Sequence, residues 1–134
     1  METENLCIDT NILIDFLKGR GPGADVLERA LRNYQCGITA ITEYELLYGM
    51  ERTRRSIGEE TLANALPTLP LDKKAASIAA HLHADLIRHN QDIGVKDTLI
   101  AAICLGHAVP LLTRNVKHFV RVAGLTVIDS ANWL

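Results

Sequence analysis

Four short apolar runs punctuate the chain: Leu6–Ile8, Cys36–Thr39, Leu111–Thr113 and Thr126–Ile128. Each is too short for a helix and too uniformly apolar for a strand with one wet face. Segments of helical periodicity lie between them. Buried strands alternating with helices predict a parallel sheet covered on both faces. Helices are expected over Asn11–Lys18, ended by the Gly19–Gly23 stretch with its Pro22, and over Ala24–Asn33. A third should run from about Ile41 to Arg55, with Gly58 breaking it and a further turn or two reaching Leu66. Thr68–Leu71 reads as a weak connecting strand. Asp72 should cap a long helix whose stripe is Ala75, Ile78, Ala79, Leu82 and Leu86. Gly94 interrupts, and Leu99–Ala108 follows as a helix apolar almost all round, which implies deep burial. The expected fold class is therefore α/β, a three-layer α/β/α sandwich with a parallel sheet of about four to five strands. A chain of 134 residues can bury a core without disulfides and suits a single domain, 1–134.

Composition narrows the function. Hydrophobic residues at 48% argue against disorder. Aromatics at 4% leave few side chains for stacking nucleic-acid bases. A net charge of −2 lacks the basic excess of a stoichiometric nucleic-acid binder, so any such binding must use local patches. Cys7, Cys36 and Cys104 are odd in number and without a CxxC, which reads as buried thiols in a reducing compartment. Met1–Asn5 is polar and acidic, unlike a signal peptide, and no uncharged apolar run reaches the roughly 18 residues of a membrane span. The expectation is a soluble cytoplasmic protein. No P-loop, GxGxxG, GxSxG or HExxH occurs. His81 and His83 are two apart on a helix and face different ways, so they are no zinc pair. His107 and His118 have no evident partner in the sequence.

In parallel sheets, ligands bind beyond the carboxyl ends of the strands. Asp9, Thr39 and Thr113 should sit there. Acidic and amide side chains gather in the adjoining segments: Ile8-Asp9-Thr10-Asn11, Thr42-Glu43-Tyr44-Glu45-Leu46, Gly94-Val95-Lys96-Asp97, and Thr113-Arg114-Asn115. Singly, each has an ordinary reading. Asp9 could cap a helix, Asp97 could complement a helix dipole, Glu45 could be a solvated surface residue and Asn115 a turn residue. Jointly they suggest oxygen ligands for Mg²⁺ or Mn²⁺, an ion that would activate water and neutralise charge on a phosphodiester. Helical geometry alone leaves Glu43 and Glu45 equal as the second acid. Arg52, Arg54 and Arg55 form a basic cluster that is either a partner for a helix dipole or a rail for phosphates. Lys96, Arg114, Lys117 and Arg121 flank the later segments and are further candidates for RNA contact.

These four segments, in order and across nearly the whole chain, resemble the four motifs of PIN domains in their VapC-like branch. Asp9 matches the first acid. Thr42-x-x-Glu45-Leu46-x-Tyr48-Gly49 matches the second motif and selects Glu45 over Glu43. Gly94-x-x-Asp97-x-x-Ile100-Ala101 matches the third. Thr113-Arg114-Asn115, followed by Phe119, Gly124 and Leu125, matches the fourth, with asparagine where many PIN domains have aspartate. The resemblance implies a PIN-like fold and a Mg²⁺- or Mn²⁺-dependent endoribonuclease. Asp9, Glu45 and Asp97 would be its metal ligands, with Asn115 supporting the ion or its water. It also implies a homodimer and a cognate VapB-like antitoxin that blocks the acids. Glu43 should point to solvent, to the basic cluster or to a second subunit, and Gly49 should let another backbone approach. Other readings are an RNA-processing PIN nuclease, a non-catalytic PIN scaffold, and a phosphatase with Asp9 as nucleophile. The phosphatase would want a second aspartate at position 11, where this chain has Asn11.

Overall fold

The computed structural model describes residues 4–133; residues 1–3 of the acidic N-terminal stretch, and Leu134, lie outside the described residues. Strand β1 (Asn5–Ile8) leads into α1 (Thr10–Leu17) and α2 (Gly23–Asn33). Then come β2 (Gln35–Thr39), α3 (Ala40–Thr53), α4 (Glu59–Ala65) and the two-residue β3 (Thr68–Leu69). Helices α5 (Lys73–Arg88) and α6 (Val95–His107) precede β4 (Leu111–Thr113), α7 (Val116–Phe119), β5 (Val127–Asp129) and a closing 3-10 turn, Ser130–Asn132. The five strands pair in parallel in the order β3-β2-β1-β4-β5. The α/β/α sandwich and its strand count agree with expectation.

Strand alternation sorts the core into two layers. Leu6, Ile8, Ile38 and Leu112 face one side, against Ile12, Leu13, Val26, Leu27 and Leu46 from α1, α2 and α3. Cys7 and Leu111 face the other, against Leu86, Ile100, Ala101 and Cys104 from α5 and α6. That is the period-two geometry of a strand with both faces covered. The three cysteines are free and buried. Among the described residues no helix is long and apolar enough to cross a membrane.

The order of winding matters most for function. From β1 the chain moves outward to β2 and β3, then returns past β1 to β4 and β5. The direction reverses between β1 and β4, and the crevice beyond their carboxyl ends is where such sheets bind ligands. Asp9 and Thr113 stand at that crevice. Helix α6 begins at Val95, four residues before the expected Leu99, because Gly94 at φ 89° stops the preceding loop and starts the helix there. Asp97 consequently sits in its first turn.

One close approach holds the crevice together. Asp15 on α1 is buried, and its Oδ2 accepts from Arg114 Nη1 at 2.7 Å, tying α1 to the segment after β4. Gly23, the first residue of α2, lies against Asp15: a Cβ there would come within 2.9 Å of the carboxylate carbon and closer still to the Asp15 Cβ. Gly23→Ala should therefore displace Asp15 from Arg114. The expected loss is about 2–3 kcal/mol, a melting temperature about 8–10 °C lower. Thermal denaturation followed by circular dichroism checks it, and a drop under about 2 °C would mean that α1 and α2 separate at no cost.

Candidate active site

Asp9 follows β1 directly and is 4% exposed. It is the N-cap of α1, with Oδ1 accepting the Thr10 N–H at 2.8 Å. Its Oδ2 accepts the Thr113 hydroxyl at 2.7 Å and faces the Asn11 amide at 3.4 Å. The capping reading of Asp9 holds, and the same carboxylate lies at the crevice. Burial pushes the Asp9 carboxyl up to about 6, the hydrogen bonds from Thr113 and Thr10 oppose this, and the charges of Asp97 and Glu45 raise it further. Asp9 therefore senses both other acids.

Glu45 reaches the same crevice from α3. The helix starts at Thr39, whose Oγ1 caps the Thr42 N–H at 3.1 Å. Thr10 Oγ1 lies 2.8 Å from Glu45 Oε1 and 2.9 Å from Thr42 Oγ1. A hydroxyl has one proton, so Thr10 donates to the carboxylate and accepts from Thr42. Glu43 goes elsewhere: its Oε2 accepts the Thr68 hydroxyl of β3 at 3.2 Å. Glu43 thus points away from Glu45, as expected, into an exposed contact at the sheet edge and not to the basic cluster.

Asp97 approaches from α6 and Asn115 from the turn after β4. The Asn115 amide nitrogen lies 3.4 Å from Asp97 Oδ2 and 2.9 Å from His118 Nδ1, and Nδ1 is itself 2.9 Å from Asp97 Oδ2. The Asn115 backbone N–H donates to Thr113 Oγ1 at 2.9 Å. A continuous polar chain therefore runs Asp97, Asn115, Thr113, Asp9, Thr10, Glu45. Among the described residues no three His, Cys, Asp or Glu side chains stand close enough to share one ion. The acids are neighbours joined by hydroxyls and an amide.

The cations are less united. Arg52 and Arg55 line a cleft of about 390 Å³ with Glu45, Ile14, Leu17 and Leu46. Gly49 lines it too, but a Cβ on Gly49 would meet nothing within 4 Å. The expected close approach of another backbone is absent, and the glycine simply widens the cleft. Arg54 ends α3 in the left-handed region at φ 56° and is not among the cleft-lining residues. Lys96, beside Asp97, holds its ammonium 5.9 Å from the ring of Tyr44, which stacks on Tyr48. Both tyrosines are about half exposed. Arg114 is paired with Asp15, and Arg121 reaches the carbonyls of Gln91 and Asp92. His81 bonds the Ser77 carbonyl and His83 faces Asp92, far from any shared ligand.

Sequence reasoning placed Thr113 at a strand end and quoted Thr10 within a motif without giving either a role, and it found no partner for His118. The two threonines lay inside the first and fourth motifs, beside the acids they bond. His118 stands three residues after Asn115, the spacing that brings side chains together on a helical turn. It has partners after all.

The sequence profile of the PIN domain matches residues 6–125. The chain is 31% identical over 127 residues to the tRNA(fMet)-specific endonuclease VapC of Shigella flexneri, covering 91% of this chain and 95% of that protein. It is 32% identical over 131 residues to ribonuclease VapC1 of Rickettsia felis, covering 92% and 94%. Among solved structures, DNA-bound VapBC from Salmonella typhimurium superposes with a TM-score of 0.83 at 27% identity, covering 95% of this chain and 98% of that one.

Proposed function

The chain belongs to the PIN domain family, and on that premise we propose that it is a metal-dependent endoribonuclease and the toxin of a toxin–antitoxin pair. The observation that carries this reading is the convergence of Asp9, Glu45, Asp97 and Asn115 on the crevice where the sheet reverses direction. Asp9, Glu45 and Asp97 are too far apart to share one ion directly, so they would hold Mg²⁺ or Mn²⁺ in part through its bound waters, with Asn115 beside them. The donor set is all oxygen, which suits a hard divalent ion. Asp9 is pushed up by burial and by like charge, a penalty that a cation offsets. Asn11 Oδ1 is buried with no hydrogen-bond partner, a further oxygen at the same place. When bound, the ion would supply positive charge against a phosphodiester and lower the pKa of a water.

The protein's own part is placement. Thr113 and the Thr10 N–H fix the two oxygens of Asp9, and Thr10 aims Glu45. Arg52 and Arg55 meet RNA phosphates in the cleft beside Glu45. Lys96 and the exposed part of Arg114 add charge on the Asp97 and Asn115 sides, and Arg54 extends the patch. Few phosphates are engaged, so binding should be weak and its logarithm should fall only shallowly with the logarithm of salt concentration. The same reading makes the protein cytoplasmic and a homodimer. Its partner is an antitoxin of the VapB kind, since the chain resembles solved VapBC complexes, and on this reading a segment of that antitoxin blocks the acids.

The test uses purified protein on a mixture of structured RNAs with Mg²⁺ or Mn²⁺. Internal cuts that vanish with a chelator are expected, together with an ion-dependent rise in melting temperature. At 100 times the dissociation constant the ion adds about 2.7 kcal/mol. Absence of both effects at millimolar Mn²⁺ removes the nuclease reading. Light scattering should give a dimer alone and a larger assembly with the product of an adjoining small gene; a monomer at high micromolar concentration removes the dimer.

A further inference from the structure

His118 lies on α7, the four-residue turn that follows Asn115. Its Nδ1 has two neighbours at 2.9 Å, Asp97 Oδ2 and the Asn115 side-chain amide. Contact with a carboxylate oxygen at this distance is attractive only if Nδ1 carries a proton. A protonated Nδ1 cannot also accept from an amide N–H. The amide then presents its oxygen in place of its nitrogen, giving up the long 3.4 Å contact of that nitrogen with Asp97 Oδ2, and Nδ1–H becomes the link between the two side chains. In that arrangement one N–H serves two oxygens from behind, Asp97 Oδ2 and Asn115 Oδ1. The remaining lone pairs of both are left toward the crevice.

The geometry points to His118 as a positioning residue for the ion site: through Nδ1–H it fixes the Asp97 carboxylate and sets which end of the Asn115 amide faces the acids. This rests on the reading of Asp97 as an ion ligand. It requires no change of charge, because the neutral imidazole with its proton on Nδ1 makes the same two bonds. It also accounts for an asparagine at the fourth position. An amide is a useful oxygen donor only when something holds its oxygen inward, and His118, one helical turn on, does so. Ligating carboxylates and imidazoles are commonly held this way by outer hydrogen bonds, whose loss weakens metal affinity by about 10–100-fold.

Two measurements test it. In the ion-free wild-type protein, nitrogen NMR of His118 should show the proton on Nδ1; a proton on Nε2 alone overturns the proposal without touching the nuclease reading. Calorimetric Mn²⁺ titration then compares three variants. His118→Asn places an amide N–H where Nδ1–H was and should bind within about threefold of wild type. His118→Gln places it at the far nitrogen and should bind about 10–100-fold more weakly. At saturating Mn²⁺, His118→Gln should regain most of its turnover, since the residue acts through Asp97. Wild-type affinity in His118→Gln, or equal weakening in both amides, overturns the positioning role. Asp97→Asn is the control: if it binds Mn²⁺ as wild type does, the assignment of Asp97 fails, whatever His118 does.

Discussion

Asp9→Asn abolishes RNA cleavage and, without divalent ions, makes the protein more stable at pH 7.5. Loss of a charged ligand at the reacting centre should lower the rate by at least about 100–1,000-fold. The gain in stability follows from burial. The folded protein holds the Asp9 proton up to about pH 6, against an ordinary value of 3.8. A folded value above the unfolded one means that the folded state binds the proton more tightly. Stability from that proton is complete below about pH 4 and is lost as pH rises through 6. At pH 7.5 the ionised carboxylate thus costs up to about 3 kcal/mol. Asparagine removes the charge and keeps the acceptor for the Thr10 N–H, while the Thr113 hydroxyl must reorient at a cost of about 1 kcal/mol. The net gain should be about 1–2 kcal/mol at pH 7.5 and near zero at pH 4. Urea denaturation of both proteins at the two pH values decides it. Equal stability differences at both pH values would mean that Asp9 carries no buried charge. Millimolar Mn²⁺ should reverse the order, since only the wild type keeps the ligand that the ion stabilises.

Short apolar runs made the sheet legible in advance: β1, β2 and β4 lie where Leu6–Ile8, Cys36–Thr39 and Leu111–Thr113 indicated. Periodicity works there because burial on both faces leaves no polar residue to blur the pattern. It failed where function takes over the sequence. Val95–Thr98 are the first turn of α6 but carry Lys96 and Asp97 toward the crevice, so the apolar stripe starts only at Leu99. Helix α7 is one turn long, too short for any period to register, and with it went the partners of His118. The Arg114–Asp15 pair joins positions 99 residues apart, and nothing local in either segment announces it. The acids could be picked out as a candidate set because each lies next to a strand end or in the helix after it. Their order in space follows from the reversal of winding between β1 and β4, which no single motif contains.

Glu45→Gln should lower cleavage by at least about 100-fold and weaken Mn²⁺ binding, while Glu43→Gln changes neither by more than about twofold. The two positions are two residues apart on α3, about 200° around its axis, so they cannot serve the same site. Local sequence gave no ground for choosing, since either acid has apolar neighbours three and four residues away. The contacts separate them. Glu45 Oε1 accepts a hydrogen bond from the hydroxyl of Thr10, the residue after Asp9, at 2.8 Å, and Asp9 feels its charge. Glu43 Oε2 accepts a hydrogen bond from the Thr68 hydroxyl at 3.2 Å, on β3 at the far edge of the sheet. Glutamine at 43 can still accept from Thr68 through its amide oxygen, so the fold should survive and the melting temperature should move by no more than about 2 °C. Glutamine at 45 can likewise accept from Thr10, which isolates the loss of charge from any loss of shape. Thr10→Val supplies the connecting arm: it removes the hydroxyl that aims Glu45 without touching an acid. Its cleavage rate should fall by roughly tenfold, between the wild type and Glu45→Gln. An inactive Glu43→Gln with an active Glu45→Gln would mean that α3 is turned by two residues in the functional protein and that the second acid must be reassigned.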